Sequence, residues 1–281
     1  SRNWYGYWWY SNGLFHSNYW AIAVLKKDWS VVVWWSQYNW WNPWEKQSEL
    51  NSWVVKVIQG AHWFSAIKED WSLVVWWSSW YWWDPWEKQS ELNSWIVSVY
   101  TSYAGYAAIK EDWKLVYRWG YDPWEKQSLL NSWVTKVYSN TFSNVALKED
   151  WSVVVWWDWN WSWEPWNWWW TYEFWWDPRE KQAELNSWVV SIHPGRQAFA
   201  ALKEDWSVVT WWYSGAWWDP WEKQADLNSW VVFIYSSVYV FVAIKEDWSV
   251  VTWWATVQWW DSSSVEDQLF DIVSINWTCV K

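Results

Sequence analysis

One short phrase recurs through the chain and limits the folds that are open to it. A hydrophobic run leads into Lys-x-Asp-Trp, and a second hydrophobic run follows that usually ends in Trp-Trp, as in residues 66–77. The six copies are spaced by 42, 42, 38, 55 and 42 residues. A period near 42 residues is typical of a repeat architecture, in which each unit packs on its neighbours. The turn tryptophans of the six copies are Trp29, Trp71, Trp113, Trp151, Trp206 and Trp248.

Each repeat contains three stretches with the composition of β-strands. In one repeat these are residues 54–58, 64–68 and 72–76, which are rich in β-branched and other apolar residues. A short edge at residues 82–83 is a fourth candidate strand. Four short strands in a unit of this length match one blade of a β-propeller. The sequence therefore predicts an all-β fold, a β-propeller of six to seven four-stranded blades.

The predicted propeller is a single domain over residues 1–281, and we expect it to be a fragment of a longer chain. The third repeat is shorter than the usual 42 residues and the fourth is longer, with its extra residues near 157–174. The repeats cover approximately residues 11–52, 53–94, 95–132, 133–187, 188–229 and 230–271, with partial repeats at 1–10 and 272–281.

A helical segment is predicted between the repeats. In Asp84-Pro85-Trp86-Glu87, Asp is suited to a helix N-cap, Pro to the first helical position and Glu to the third. We expect one or two helical turns there, with Leu92 packed against the sheet and Trp95 in the place of a C-capping glycine. The same pattern recurs at Pro43, Pro123, Pro178 and Pro220.

The repeated hairpins carry an unsuitable turn residue. Asn-Gly and Asp-Gly are the strongest pairs for a two-residue turn, because both central residues of a type I′ turn have positive φ. This chain has Asp-Trp at every hairpin. A bulky side chain at positive φ is an outlier, so six copies in register require a common cause.

The composition suggests what that cause is. The chain has 50 Trp and 7 Gly, whereas about 7% Gly, roughly 20 residues, is usual for this length. Trp also follows Asn-Ser in Leu-Asn-Ser-Trp, and one repeat has Trp119-Gly120 where others have Trp-Trp. The hypothesis is that the six turn tryptophans, and most others, are glycine in the native protein, because some bacteria decode UGA as Gly. The native tryptophans would be the first of each pair: Trp34, Trp76, Trp119, Trp156, Trp211 and Trp253. The alternative is a protein that is Trp-rich in fact.

Charge and composition argue against several function classes. The formal net charge of −11 disfavours contact with nucleic-acid phosphates. Cys279 is the one cysteine, so no disulfide within the chain is expected, and no apolar run is long enough to cross a membrane. The histidines lack metal-ligand spacing, and no cofactor is predicted. The insert offers a candidate binding loop with polar oxygen donors at Asp158, Asn160, Glu164 and Asn167.

Residues 200–212 resemble the repeat of the regulator-of-chromosome-condensation family. The similarity is nearly letter for letter once Trp206 and Trp212 are taken as Gly, and its six copies extend over almost the whole chain. The resemblance implies a β-propeller, commonly of seven blades. The eukaryotic founder of the family is a nucleotide-exchange factor that docks on chromatin, a role that the acidic charge and shorter repeats disfavour here. Bacterial members that resemble this chain are more often large surface or secreted proteins, and one type binds and inhibits a β-lactamase through a propeller face, so the resemblance implies protein binding.

The predicted function is a non-enzymatic interaction module that binds another protein through the loops of the propeller. The repeats differ chiefly in their loops, at residues 157–176, 100–106 and 235–241, while the strands are nearly alike. An extracellular or cell-surface location is expected. One alternative is a carbohydrate-binding, lectin-like propeller in which exposed tryptophans stack on sugars. Another is an enzyme that uses the central channel.

Overall fold

The structure is a computed structural model, and it describes residues 15–17, 21–35, 44–60, 63–77, 90–101, 105–118, 124–140, 143–157, 181–212, 223–238 and 240–254. The strands alternate with short helical segments. The strands are β1 (Phe15–Ser17), β2 (Ala21–Leu25), β3 (Val31–Trp35), β4 (Val54–Gln59), β5 (Trp63–Lys68), β6 (Leu73–Trp77), β7 (Ile96–Thr101), β8 (Tyr106–Lys110), β9 (Leu115–Arg118), β10 (Val134–Ser139), β11 (Ser143–Lys148), β12 (Val153–Trp157), β13 (Val189–Pro194), β14 (Ala198–Lys203), β15 (Val208–Trp212), β16 (Val231–Ser236), β17 (Val240–Lys245) and β18 (Val250–Trp254). The helices are α1 (Trp44–Leu50), α2 (Trp124–Leu130), α3 (Gln182–Leu185) and α4 (Gln224–Leu227), and residues 90–92 are also helical.

The protein is mostly β, and consecutive strands form three-stranded antiparallel sheets. Among the described residues there are six such sheets, each in the order first, second, third strand along the chain. This confirms the three predicted strands of each repeat. The predicted fourth strand, residues 82–83, lies outside the described residues.

In the sheets from β4 onward the middle strand is deeply buried, whereas the first strand is buried at only some of its positions. In β5 every side chain is buried except Lys68, while in β4 Val54 and Val57 are buried and Val55 is exposed. The first strand also has an irregular register, with a shift between Val54 and Lys56 that recurs in β7, β10, β13 and β16. Such a bulge twists an edge strand and makes it a poorer template for pairing with another chain.

The short helices confirm the expected one or two turns between repeats. The predicted cap is wrong for α3 and α4, which have Lys181 and Lys223 at the N-cap instead of the Asp-Pro pair that precedes them, with no side-chain capping bond. Each carries a leucine that is removed from solvent, as predicted for Leu92. Gln47 of α1 donates a hydrogen bond to the carbonyl of Val31 at 3.3 Å and another to Asn51 at 2.9 Å, and Gln182 of α3 bonds in the same way to Val153 and Asn186. The side-chain bonds and the buried leucine therefore fix the helix on the sheet that precedes it. The buried leucines are Leu50, Leu92, Leu130, Leu185 and Leu227.

The chain divides into two compact units, residues 1–111 with 116–120, and residues 112–115 with 121–281. In the first unit, one apolar core joins β2 and β3 to β4–β6 around Leu50, and a second joins β5 and β6 to β7 and β8 around Leu92. In the second unit, equivalent cores form around Leu185 and Leu227. Each of these cores is therefore shared between the sheets of successive repeats, as in repeat proteins generally.

Candidate functional site: the two ends of the sheets

Each sheet has two ends that differ in sequence and chemistry. The turn end carries the hairpin between the second and third strands and the start of the first strand, since Val54 pairs with Lys68. The loop end carries the connection between the first and second strands and the end of the third, since Trp63 pairs with Trp77. Residues that are almost the same in every repeat lie at the turn end.

The hairpins at the turn end have three-residue loops, which corrects the expected two-residue turn. The amide of Trp71 donates to the carbonyl of Lys68 at 2.9 Å, and the amide of Lys68 donates to the carbonyl of Ser72 at 3.0 Å. Trp71 has φ of 61°, whereas Glu69 and Asp70 are not among the described residues with positive φ. This is a type I turn followed by one left-handed residue, a common hairpin connection.

The aspartate of each turn fixes the loop. Oδ1 of Asp70 accepts hydrogen bonds from the amide and the hydroxyl of Ser72, at 3.0 and 2.6 Å. These bonds, with the hydroxyl making the larger contribution, lower the pKa of Asp70. The carboxylate therefore acts as a turn former, and its two bonds are local.

A second left-handed tryptophan lies beside each hairpin. Trp53, three residues after the end of α1, has φ of 62°, and its carbonyl accepts a hydrogen bond from the amide of Glu69 at 2.8 Å. The carbonyl of Trp29 accepts from the amide of Val54 at 2.9 Å. The backbone of these tryptophans thus joins one repeat to the next. Trp95, predicted as a C-capping position, belongs to this second set with φ of 62°.

The rings of these tryptophans project into solvent. Eleven of them, at the two positions in each repeat, are between 45% and 60% exposed. The ring of Trp188 borders an open depression of about 390 Å³ with Lys203, Glu204 and Asp205. An exposed aromatic ring with polar groups beside it offers both apolar contact and hydrogen bonding to a ligand.

Tryptophans on the third strands have the opposite environment. Trp76, Trp156, Trp211 and Trp253 are 1–4% exposed. The rings of Trp76, Trp211 and Trp253 stack on a phenylalanine of the neighbouring strand, with centroids 5.2–5.6 Å apart. Of the other two expected native tryptophans, Trp34 is 46% exposed and Trp119 lies outside the described residues.

The loop end differs from repeat to repeat. The first and second strands are joined through Gln59-Gly60 in one repeat, Ser139-Asn140 in another, Pro194-Gly195-Arg196 in a third and Ser236-Ser237-Val238 in a fourth. The described parts of the stretches 100–106 and 235–241 belong to this end. β12, the strand that precedes the insert in the sequence, also ends at the loop end. The candidate residues of the insert, Asp158, Asn160, Glu164 and Asn167, lie outside the described residues.

Two neighbouring connections at the loop end are held together. The amide of Arg196 donates to the carbonyl of Val238 at 3.1 Å, and the amide of Ser237 donates to the carbonyl of Val240 at 2.8 Å. A Cβ on Gly195 would meet the Phe241 ring at 2.9 Å, so glycine permits this close approach. The two connections therefore form one continuous surface with apolar and polar groups.

A half-buried histidine lies near this surface. Nε2 of His193 is 3.0 Å from the Ser191 hydroxyl, and burial, with the nearby positive charge of Lys136 second, lowers the pKa of His193 to about 4. A general base must become positively charged, and Lys136 disfavours that charge. The pair is thus poorly suited to catalysis. The described residues contain no cluster of three potential metal-ligating side chains, and no described helix is long and apolar enough to cross a membrane.

No family model and no curated protein matches the sequence. Similar solved structures include human WBSCR16, with a TM-score of 0.44 and 12% identity over 87% of this chain and 77% of that one. Yeast RCC1 (Prp20), crystallised with Kap60, has a TM-score of 0.42 and 12% identity over 85% and 69%. The CRINKLY WD40 ectodomain of the Arabidopsis thaliana receptor kinase ACR4 has a TM-score of 0.42 and 10% identity over 86% and 80%. TM-scores this low carry no further conclusion for this chain.

Proposed function

We propose that this chain is a non-enzymatic protein-binding module, with repeats of the chromosome-condensation type that form the blades of a β-propeller. Each three-stranded sheet, with the edge strand predicted to follow it, would make one of six or seven four-stranded blades. The loop end is the binding surface. The observation that carries this proposal is the separation of the two ends, since the turn end is repeated almost unchanged while the residues that differ gather at the loop end.

The chemistry of the described loop end supports a protein partner. Val238 is 48% exposed, and Arg196 and Ser237 provide polar groups beside it. Protein interfaces combine an apolar centre with hydrogen-bonding groups at the rim. The backbone bond between the two connections also limits the entropy lost when a partner binds.

A capture experiment tests the position of the surface. The immobilised protein is incubated with extracellular proteins of the source cells, in parallel with the Val238→Asp/Arg196→Glu variant and a turn-end control, Glu204→Lys. We expect a protein that the native chain and the control retain and the loop-end variant loses. Retention by the loop-end variant together with loss by the turn-end control would contradict the proposal.

A second candidate function is carbohydrate binding at the turn end. The exposed ring of Trp188, with Lys203, Glu204 and Asp205 around the same depression, favours it. Titration with a panel of oligosaccharides, followed by tryptophan fluorescence, tests it. Saturable quenching that Trp188→Ala reduces would support this function, and an unchanged spectrum of the native protein across the panel would exclude it for those sugars.

A further inference from the structure

Every non-glycine residue with a left-handed backbone in the described part of the chain is a tryptophan. Eleven have φ between 61° and 66°. Six are the turn tryptophans of the hairpins, and five more follow the helical segments. These five are Trp53, Trp95, Trp133, Trp188 and Trp230.

The hydrogen bonds that these residues make within and between repeats come from their backbone. Their amides and carbonyls close the hairpins and link successive repeats, as in the bonds from Trp71 to Lys68 and from Ile96 to Trp71, both 2.9 Å. Their rings are about half exposed. Glycine would make the same backbone bonds and adopts this φ without steric cost.

The buried tryptophans are used in the opposite way. Trp76, Trp211 and Trp253 lie on strands, are not left-handed, and stack on Phe64, Phe199 and Phe241. Their rings fill the cores between sheets, where glycine would leave a cavity. Tryptophan therefore occupies two kinds of position whose structural requirements are incompatible.

Two described glycines show the reverse mismatch. Gly60 and Gly195 do not have φ in the left-handed range. Gly60 and Gly195 thus stand at positions that do not need left-handed freedom, while tryptophan stands at the eleven described positions that do. A Trp-rich protein has no physical reason to place its tryptophans in this way.

We propose that the eleven left-handed positions are glycine in the protein that the cell makes, and that the buried Trp76, Trp156, Trp211 and Trp253 are tryptophan. A common alternative genetic code reads both UGA and UGG as tryptophan. A cell that decodes UGA as glycine and UGG as tryptophan would instead place glycine at the left-handed positions and tryptophan at the buried ones. The turn end then loses its exposed rings, and the depression beside Trp188 loses the aromatic face on which carbohydrate binding depends.

Two measurements on the native system test the inference. Cleavage after lysine gives peptides 69–88 and 204–223, and each contains one residue of either class, Trp71 with Trp76 and Trp206 with Trp211. We expect the fragment spectra to assign glycine at 71 and 206 and tryptophan at 76 and 211. Tryptophan at both positions of a peptide overturns the inference, and glycine at both overturns the division into two classes.

The gene provides an independent check. We expect UGA at all eleven left-handed positions and UGG at the four buried ones. UGG at any of the eleven, or one codon at all fifteen, overturns the inference. Both measurements leave the proposed protein binding at the loop end untouched, because none of the eleven residues belongs to it.

Discussion

Trp206 and Trp211 lie five residues apart in one repeat, and their environments make opposite demands on the side chain. Trp206 has φ of 64° and an exposed ring, while Trp211 is 4% exposed and its ring centroid lies 5.3 Å from that of Phe199. A left-handed backbone costs a non-glycine residue about 1 to 2 kcal/mol. Loss of a buried aromatic side chain costs about 3 to 5 kcal/mol.

These opposite demands predict opposite effects of the same substitution. Trp206→Gly should raise the free energy of unfolding by about 1 kcal/mol, because it removes the steric conflict and little packing. Trp211→Gly should lower it by at least about 3 kcal/mol, because it opens a cavity. Urea denaturation of the two variants measures both changes, and a loss of stability in Trp206→Gly would contradict the account of the turn.

His193 is the second residue whose environment gives a measurable expectation. Its pKa in the folded protein, about 4, lies below the ordinary 6.5 because burial disfavours the imidazolium. Above pH 6.5 both the folded and the unfolded chain hold it neutral. Between pH 6.5 and 4 the unfolded chain binds the proton more readily, so the folded state loses stability as the pH falls through this range.

Tyrosine is a suitable replacement for His193, because Tyr138 and Tyr235 occupy the same strand position in two other repeats. We expect His193→Tyr to remove an acid-dependent loss on the order of 1 to 3 kcal/mol between pH 6.5 and 4. Thermal unfolding of both proteins across this range measures the difference. Parallel pH profiles would show that His193 is not held neutral.

The aspartates of the turns do not interfere with this measurement over most of the range. Their pKa values are lowered, so their contribution to the stability of the folded state is lost only below about pH 4.

At the scale of the elements, each helix contributes mainly through one leucine. In α2, Leu130 is fully buried and its neighbour Leu129 is 49% exposed. Leu130→Ala should cost about 2 to 5 kcal/mol, whereas Leu129→Ala should change stability by less than about 0.5 kcal/mol. Denaturation midpoints of the two variants provide the measurement, and equal losses would mean that the helix is not fixed through Leu130.

The elements also show how far the sequence could be interpreted. Alternation and β-branching predicted three strands in each repeat, and the Asp-Pro-Trp-Glu capping pattern predicted a short helix with its buried leucine, because both are local signals in the sequence. The turn type was predicted wrongly. Asp-Trp resembles a two-residue turn, but the closing bond between Lys68 and Ser72 makes a three-residue loop with only Trp71 left-handed. The bulges in the first strands had no local signal.

The candidate surface was predictable in part. The sequence showed that the repeats differ in residues 100–106, 235–241 and the insert. It did not show that the first two stretches lie at the same end of the sheets as the end of β12, the strand before the insert. That follows from antiparallel pairing, which brings the end of a first strand to the end of a third. The bond between Arg196 and Val238 joins residues 42 apart in the sequence and had no signal of its own.

At the scale of the whole molecule, the eleven left-handed tryptophans decide whether the chain is stable. At about 1 kcal/mol each they would cost on the order of 10 kcal/mol, which equals the whole free energy of unfolding of an ordinary domain. Their exposed rings would also form apolar patches that favour aggregation. A chain with tryptophan at all eleven positions should therefore be marginally stable at best.

A pair of multiple variants tests this expectation on recombinant protein. The chain with glycine at all eleven left-handed positions should be monomeric in light scattering and should unfold cooperatively at a much higher temperature than the all-tryptophan chain. The control replaces the buried Trp76, Trp156, Trp211 and Trp253 with glycine and should not fold, because each ring fills a core between sheets. If the all-tryptophan chain is as stable and as soluble as the eleven-glycine chain, the rings must contribute packing that offsets their backbone strain. The turn end would then be a surface of native tryptophans, and carbohydrate binding there would be the better proposal.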